Sequence, residues 1–127
     1  MQLLLDTHTF IWSIEDDKRL SQKAKKGIEN QDNAIILSIA SLWEMSIKIS
    51  IGKLELKKPF EDVISYVREK GIEVLSINFE HTLLVSKLDF HHKDPFDRLI
   101  IAQAKIENMT IVSKDKLFDD YNIKRLW

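Results

Sequence analysis

The sequence predicts an α/β fold, a three-layer α/β/α sandwich around a mostly parallel five-stranded sheet. Three observations predict it. Short apolar runs alternate with longer amphipathic stretches, the trace that strand–helix–strand units leave in a chain. The first run, QLLL at residues 2–5, is apolar without alternation, as a parallel strand covered on both faces should be. Only 3 Gly and 2 Pro occur in 127 residues, too few for a many-turned all-β fold or a Gly-rich phosphate loop.

Each element follows in order. After the strand at 2–5, residues 8–15 form a short helix and Leu20–Glu29 a second, with Ser21 near its start. Asn30-Gln31-Asp32-Asn33 is turn-like and leads into a second strand, AIILS at 34–38. Residues 40–50 have helical spacing: Leu42, Met45 and Ile49 share a face, with Trp43 and Ile47 beside it. Gly52 supplies the stop. Pro59 sits in the first turn of a helix that runs to about Lys70 and ends at Gly71. IEVLSI at 72–77 is the third strand. Asn78 caps a helix through about Lys87. After the polar stretch Asp89–Asp94, Pro95 opens a helix to about Asn108. MTIVS at 109–113 is the fourth strand, a short helix lies near 115–120, and the last strand falls around Ile123–Leu126. Crossovers are expected to be right-handed.

Composition narrows the function. The length fits a single domain over residues 1–127. Lys plus Arg total 19 and Asp plus Glu 20, a formal charge of −1, so no global basic field advertises nucleic acid, although a local patch remains open. The absence of Cys removes disulfide scaffolds, thiolate metal sites and Cys nucleophiles. Leu3-Leu4-Leu5 is followed at once by Asp6, too short a run for a signal peptide or a membrane span. A cytoplasmic location, away from membranes, is the expectation.

The chemistry lies in the acids. Ligands of open parallel sheets bind beyond the carboxyl ends of the strands. Asp6 ends the first strand, Glu44 lies on the helix after the second, Asp94 and Asp97 open the helix before the fourth, and Asp115 follows the fourth. Each alone reads as a helix-start residue. Asp94-Pro95-Phe96-Asp97 has a cap, a first-turn proline and an acid at the third position. Ser41-Leu42-Trp43-Glu44 matches a capping box, and Asp6 and Asp115 each precede a helix. Taken together they point elsewhere. Ser, Thr and Asn cap equally well, whereas several carboxylates in one crevice repel and raise one another's pKa. A cation compensates that repulsion. Hard oxygen donors without Cys select Mg²⁺ or Mn²⁺, and such a site suits phosphodiester hydrolysis.

Four segments then carry a resemblance: LLLDTHTFIW at 3–12, SIASLWEMSIKISIGKLEL at 38–56, DPFDRLIIAQA at 94–104 and IVSKDKLFDDY at 111–121. In this order they resemble the PIN-domain ribonucleases, specifically VapC-type toxins of toxin–antitoxin pairs. The resemblance implies an α/β/α sandwich and metal-dependent endonucleolytic cleavage of RNA. It implies Asp6, Glu44, Asp97 and Asp115 as the catalytic, metal-binding acids, with Mg or Mn as cofactor. It implies supporting roles for Asp94, Thr7 and Ser113. It also implies a small antitoxin partner and a homodimer.

Other residues carry less. Arg98, Lys114, Lys116 and Lys48 lie near the acids in sequence and are candidate phosphate contacts. His8 reads as a helix-start residue. His91-His92 lacks the spacing of a zinc site and reads as a solvated loop. No Gly-x-Ser-x-Gly elbow surrounds any Ser. Trp12, Trp43 and Trp127 read as packing residues. Lys48–Phe60 mixes lysines with Ile49, Ile51, Leu54, Leu56 and Phe60; these read mostly as core, and the resemblance adds an antitoxin groove or dimer contact. Two rivals stand beside the nuclease. A phospho-receiver domain shares the size and strand-end acids, but wants an Asp after the third strand, where this chain has Asn78-Phe79-Glu80. A silent binding module would use the acids only as caps.

Overall fold

In the computed structural model, which describes residues 1–127, the five apolar runs become one all-parallel sheet. The strands are β1 (Gln2–Leu5), β2 (Ala34–Ser38), β3 (Glu73–Leu75), β4 (Thr110–Val112) and β5 (Arg125–Leu126), in the order β3-β2-β1-β4-β5. The helices are α1 (Thr7–Ile14), α2 (Gln22–Glu29), α3 (Ile39–Ser50), α4 (Phe60–Glu69), α5 (Phe79–Val85) and α6 (Pro95–Glu107), with a 3-10 helix at Lys116–Tyr121.

The pleat of β1 sorts its side chains to two faces, and each face has its own core. Leu3 and Leu5 join Phe10 of α1, Ala24 of α2, Leu37 of β2, Met45 of α3 and Val63 of α4. Leu4 points the other way, among Ile36 of β2, Ile100, Ile101 and Ala104 of α6, Ile111 of β4 and Phe118 of the 3-10 helix. Those two clusters are the two seams of the predicted three-layer sandwich.

The differences from the sequence reading have local causes. The third strand is Glu73–Leu75; it starts after Ile72 because the Ile72 amide is spent closing α4, on the Val67 carbonyl, around Gly71 with its positive φ, and it ends before Ser76-Ile77. Helix α3 is capped by Ser38, whose hydroxyl accepts the Ala40 amide at 3.1 Å. The expected Ser41–Glu44 capping box therefore does not form, and both side chains are free to turn inward. Pro59 is the cap residue of α4 rather than its first helical position. Leu54, Leu56 and Phe60 pack against the first core as expected, but Ile51 is 57% exposed. Trp12 and Trp127 pack, with ring centroids 5.9 Å apart, whereas Trp43 is 58% exposed and meets only the edge of Phe96 among aromatic rings. Burial is settled by partners far along the chain, which helical spacing alone does not reveal.

Candidate active site

The sheet order creates the site. From β1 the chain steps outward to β2 and β3, then returns to lay β4 and β5 on the other side. The crevice at the carboxyl ends of β1 and β4 is thus the topological switch point. Leu5 pairs with Val112, so the next residues, Asp6 and Ser113, are neighbours. The Asp6 amide extends the ladder to the Val112 carbonyl at 3.2 Å.

Asp6 is buried and uses its two oxygens differently. Oδ1 accepts the Thr9 amide at 2.8 Å and caps α1; Oδ2 accepts the Ser113 hydroxyl. Ser113 Oγ in turn accepts the Asp115 amide at 3.0 Å. Burial pushes the Asp6 carboxyl above its ordinary value, against the hydrogen bonds from Ser113 and Thr9, which act in the opposite sense.

Glu44 reaches the crevice from α3 and is almost fully buried. The Thr7 hydroxyl donates to its Oε1 at 2.6 Å and lies 3.0 Å from the Ser41 hydroxyl. Lys48, one turn on, pairs with its Oε2 and is held charged chiefly by that hydrogen bond.

The other acids come from α6 and the 3-10 helix. Asp94 Oδ1 accepts the Phe96 and Asp97 amides at 2.8 and 3.0 Å, with Pro95 as first residue, the cap the sequence predicted. Asp97 stands in that first turn. Burial, then the charges of Asp94, Asp6, Glu44 and Asp115, push its carboxyl from 3.8 up to about 8. Asp94, Asp6, Glu44 and Asp115 thus all lie within electrostatic reach of Asp97. Asp115 caps the 3-10 helix with Oδ1, on the Leu117 amide at 3.0 Å, and turns Oδ2 toward the crevice. Capping and convergence are therefore compatible: Asp6 and Asp115 cap with one oxygen and offer the other.

Two readings are corrected. His92 is not in a solvated loop; it is buried, with Nε2 at 2.8 Å from Asp115 Oδ2 and 3.2 Å from Asp97 Oδ2. Its partners lie up to 29 residues away, which is why spacing hid it; its nearness to Asp94 in HHKD is the signal that pointed there. Only His91 is exposed as expected. Arg98 does not face a phosphate path. It is buried under α5 and the following loop, donating to the carbonyls of Val85, Leu88, Asp89 and His92, with its guanidinium 4.0 Å over the Phe90 ring. Lys114 and Lys116 are exposed. Lys114, His8, Thr9 and Trp12 join Asp6 and Asp115 around a recess of ≈ 200 Å³. A larger recess of ≈ 510 Å³, bordered by Ile14, Leu56 and Tyr66, shares none of these acids.

The donor set fits a hard divalent cation. It gathers carboxylate oxygens with no thiolate, beside a single imidazole, and concentrates negative charge around Asp97.

Comparison with known proteins identifies the fold family. The family model described as PIN domain matches residues 3–124. Ribonuclease VapC22 of Mycobacterium tuberculosis is 26% identical over 117 residues, spanning 90% of this chain and 87% of that protein. Among solved structures, VapBC2 from Rickettsia felis, bound to a DNA fragment of its promoter, superposes with TM-score 0.70 at 19% identity over 98% of this chain and 97% of that one. VapBC-1 from nontypeable Haemophilus influenzae gives 0.65 at 17% identity over 98% and 96%. At such identities the structural likeness speaks for the fold.

Proposed function

The chain belongs to the PIN-domain family, and from that premise we propose that it is a Mg- or Mn-dependent endoribonuclease acting as the toxin of a toxin–antitoxin pair. The observation that carries the reading is the meeting of acids at the carboxyl ends of β1 and β4: Ser113 links Asp6 to the Asp115 amide, Asp115 and Asp97 both stand at His92 Nε2, and Thr7 draws in Glu44. These four acids would hold the cation. When bound, it supplies a Lewis acid at the phosphoryl oxygen and a water of lowered pKa.

The remaining work falls to the chain. Thr9 and Ser113 fix the Asp6 carboxylate; Thr7 and Lys48 fix Glu44. Asp94 orders the first turn of α6, which sets Asp97. Exposed Lys114 and Lys116 flank Asp115 and are suited to RNA phosphates, while Lys48 is already engaged by Glu44. The 200 Å³ recess between Asp6, Asp115, Lys114 and Trp12 gives the polyanion a way in.

The similarity to VapC22 supports RNA as substrate, and the similarity to the VapBC assemblies supports a small antitoxin partner. The exposed apolar side chains Ile39 and Trp43 on α3 and Ile51 just past its end are consistent with a protein partner or a second copy. No helix is long and apolar enough to cross a membrane, which accords with a cytoplasmic site of action. A phospho-receiver is disfavoured because β3, which would precede the accepting Asp, is an edge strand followed by Ser76-Ile77-Asn78.

The test is cleavage of total cellular RNA by purified protein with Mg²⁺, with Mn²⁺ and with chelator. Metal-dependent fragments absent from Asp6→Asn, Glu44→Gln, Asp97→Asn and Asp115→Asn are expected. Full activity in two of these variants would refute the site. No cleavage under any condition, with no cation binding, would leave a silent module.

A further inference from the structure

His92 has every polar group committed. Its amide donates to the Tyr121 hydroxyl oxygen at 2.7 Å, and that hydroxyl donates to the Asp89 carbonyl at 2.7 Å. Its carbonyl accepts from Arg98 at 3.3 Å, and its ring packs against Phe118, 5.7 Å between centroids. Nδ1 accepts the Asp94 amide at 3.2 Å. A ring nitrogen that accepts carries no proton, so the neutral ring bears its proton on Nε2. That N–H donates to Asp115 Oδ2 at 2.8 Å, and Asp97 Oδ2 lies 3.2 Å from the same nitrogen.

We propose that His92 is a positioning residue: Nε2, hydrogen-bonded to Asp115 and set against Asp97, spans the two carboxylates and holds them at the separation that binds a divalent cation. It is not itself a ligand. Ligation through Nε2 would move the proton to Nδ1, setting one donor against the Asp94 amide. The bridge also explains where Arg98 and Tyr121 enter. They anchor the backbone on both sides of His92, so a loop between two helices delivers an imidazole as a fixed strut. Carboxylate ligands are commonly held by such outer hydrogen bonds, and losing one lowers metal affinity by roughly 10–100-fold. The inference rests on the reading of Asp97 and Asp115 as cation-binding acids.

Two substitutions separate the ring's halves. His92→Asn keeps an acceptor near Nδ1 for the Asp94 amide but removes the bridge. His92→Gln keeps an N–H near the Nε2 position. Calorimetric titration of the purified full chain with Mn²⁺ alone should show affinity near wild type for His92→Gln. For His92→Asn it should show a loss of roughly 10–100-fold, while the metal-free variant still unfolds cooperatively. Wild-type affinity in His92→Asn, or equal losses in both, would overturn the bridge. Should either variant fail to fold, ¹⁵N resonances of His92 in the wild-type protein decide. A proton retained on Nε2 after Mg²⁺ addition supports the strut, and its transfer to Nδ1 makes His92 a ligand and refutes it. A wild-type protein that binds no Mn²⁺ would instead overturn the cation site, and the strut with it.

Discussion

Asp97 is the residue on which the site's electrostatics concentrate. In the folded protein its carboxyl is pushed from 3.8 up to about 8, because it is half-buried and surrounded by four other acids. As pH rises from about 4, the unfolded chain releases this proton first, so the metal-free fold loses stability progressively up to about pH 8. Below pH 4 both states hold the proton and the penalty vanishes. Asp97→Asn should therefore raise the unfolding free energy of the metal-free protein at pH 7.5 by on the order of 2–4 kcal/mol, and the gain should shrink at pH 5. Chemical denaturation at the two pH values checks it; a loss at pH 7.5 would mean that Asp97 serves the fold rather than a cation. At this scale the acids were legible because strand ends and helix starts announce themselves locally. His92 and Arg98 were not, because their partners are distant: Tyr121 and Asp115 for the first, the carbonyls of residues 85–92 for the second.

Elements position these residues, and the caps govern the elements. Ser38 ends β2 and starts α3 in one residue, which lets Ser41 and Glu44 face Thr7 instead of the helix's own amides. Ser38→Ala should lower stability by about 1 kcal/mol and disturb Glu44 with it. The loop between α5 and α6 depends on Arg98 in the same way. Arg98→Met leaves four carbonyls short of a donor and should destabilise by roughly 2–4 kcal/mol, measured by urea unfolding. If Arg98 instead bound phosphate, the change would weaken RNA binding and leave stability untouched. The sequence predicted the order and type of these elements well. It began β3 a residue early because Ile72 looks like a strand residue, and only the closure of α4 claims its amide.

The molecule as a whole is a sheet that changes direction at β1. Because β1 lies between β2 and β4, one face of the sheet seats α1, α2 and α4, the other seats α6, and the crevice between β1 and β4 collects acids from four remote segments. The three-layer architecture was legible in the apolar runs, since Leu3-Leu4-Leu5 needs cover on both faces. The strand order was not, because pairing of β1 with β4 joins residues more than 100 apart. Gathering these acids works against the fold, and a bound cation should reverse that. Binding that favours the folded state raises stability by mass action. The most direct measurement is thermal unfolding at pH 7.5, with and without millimolar Mn²⁺, for wild type, Asp6→Asn and Asp97→Asn. The account predicts that Mn²⁺ raises the wild-type midpoint and leaves the variants unmoved, while Asp97→Asn starts higher without metal. No Mn²⁺-dependent shift in the wild type, with both variants less stable than it, would contradict the cation site and leave the acids as caps.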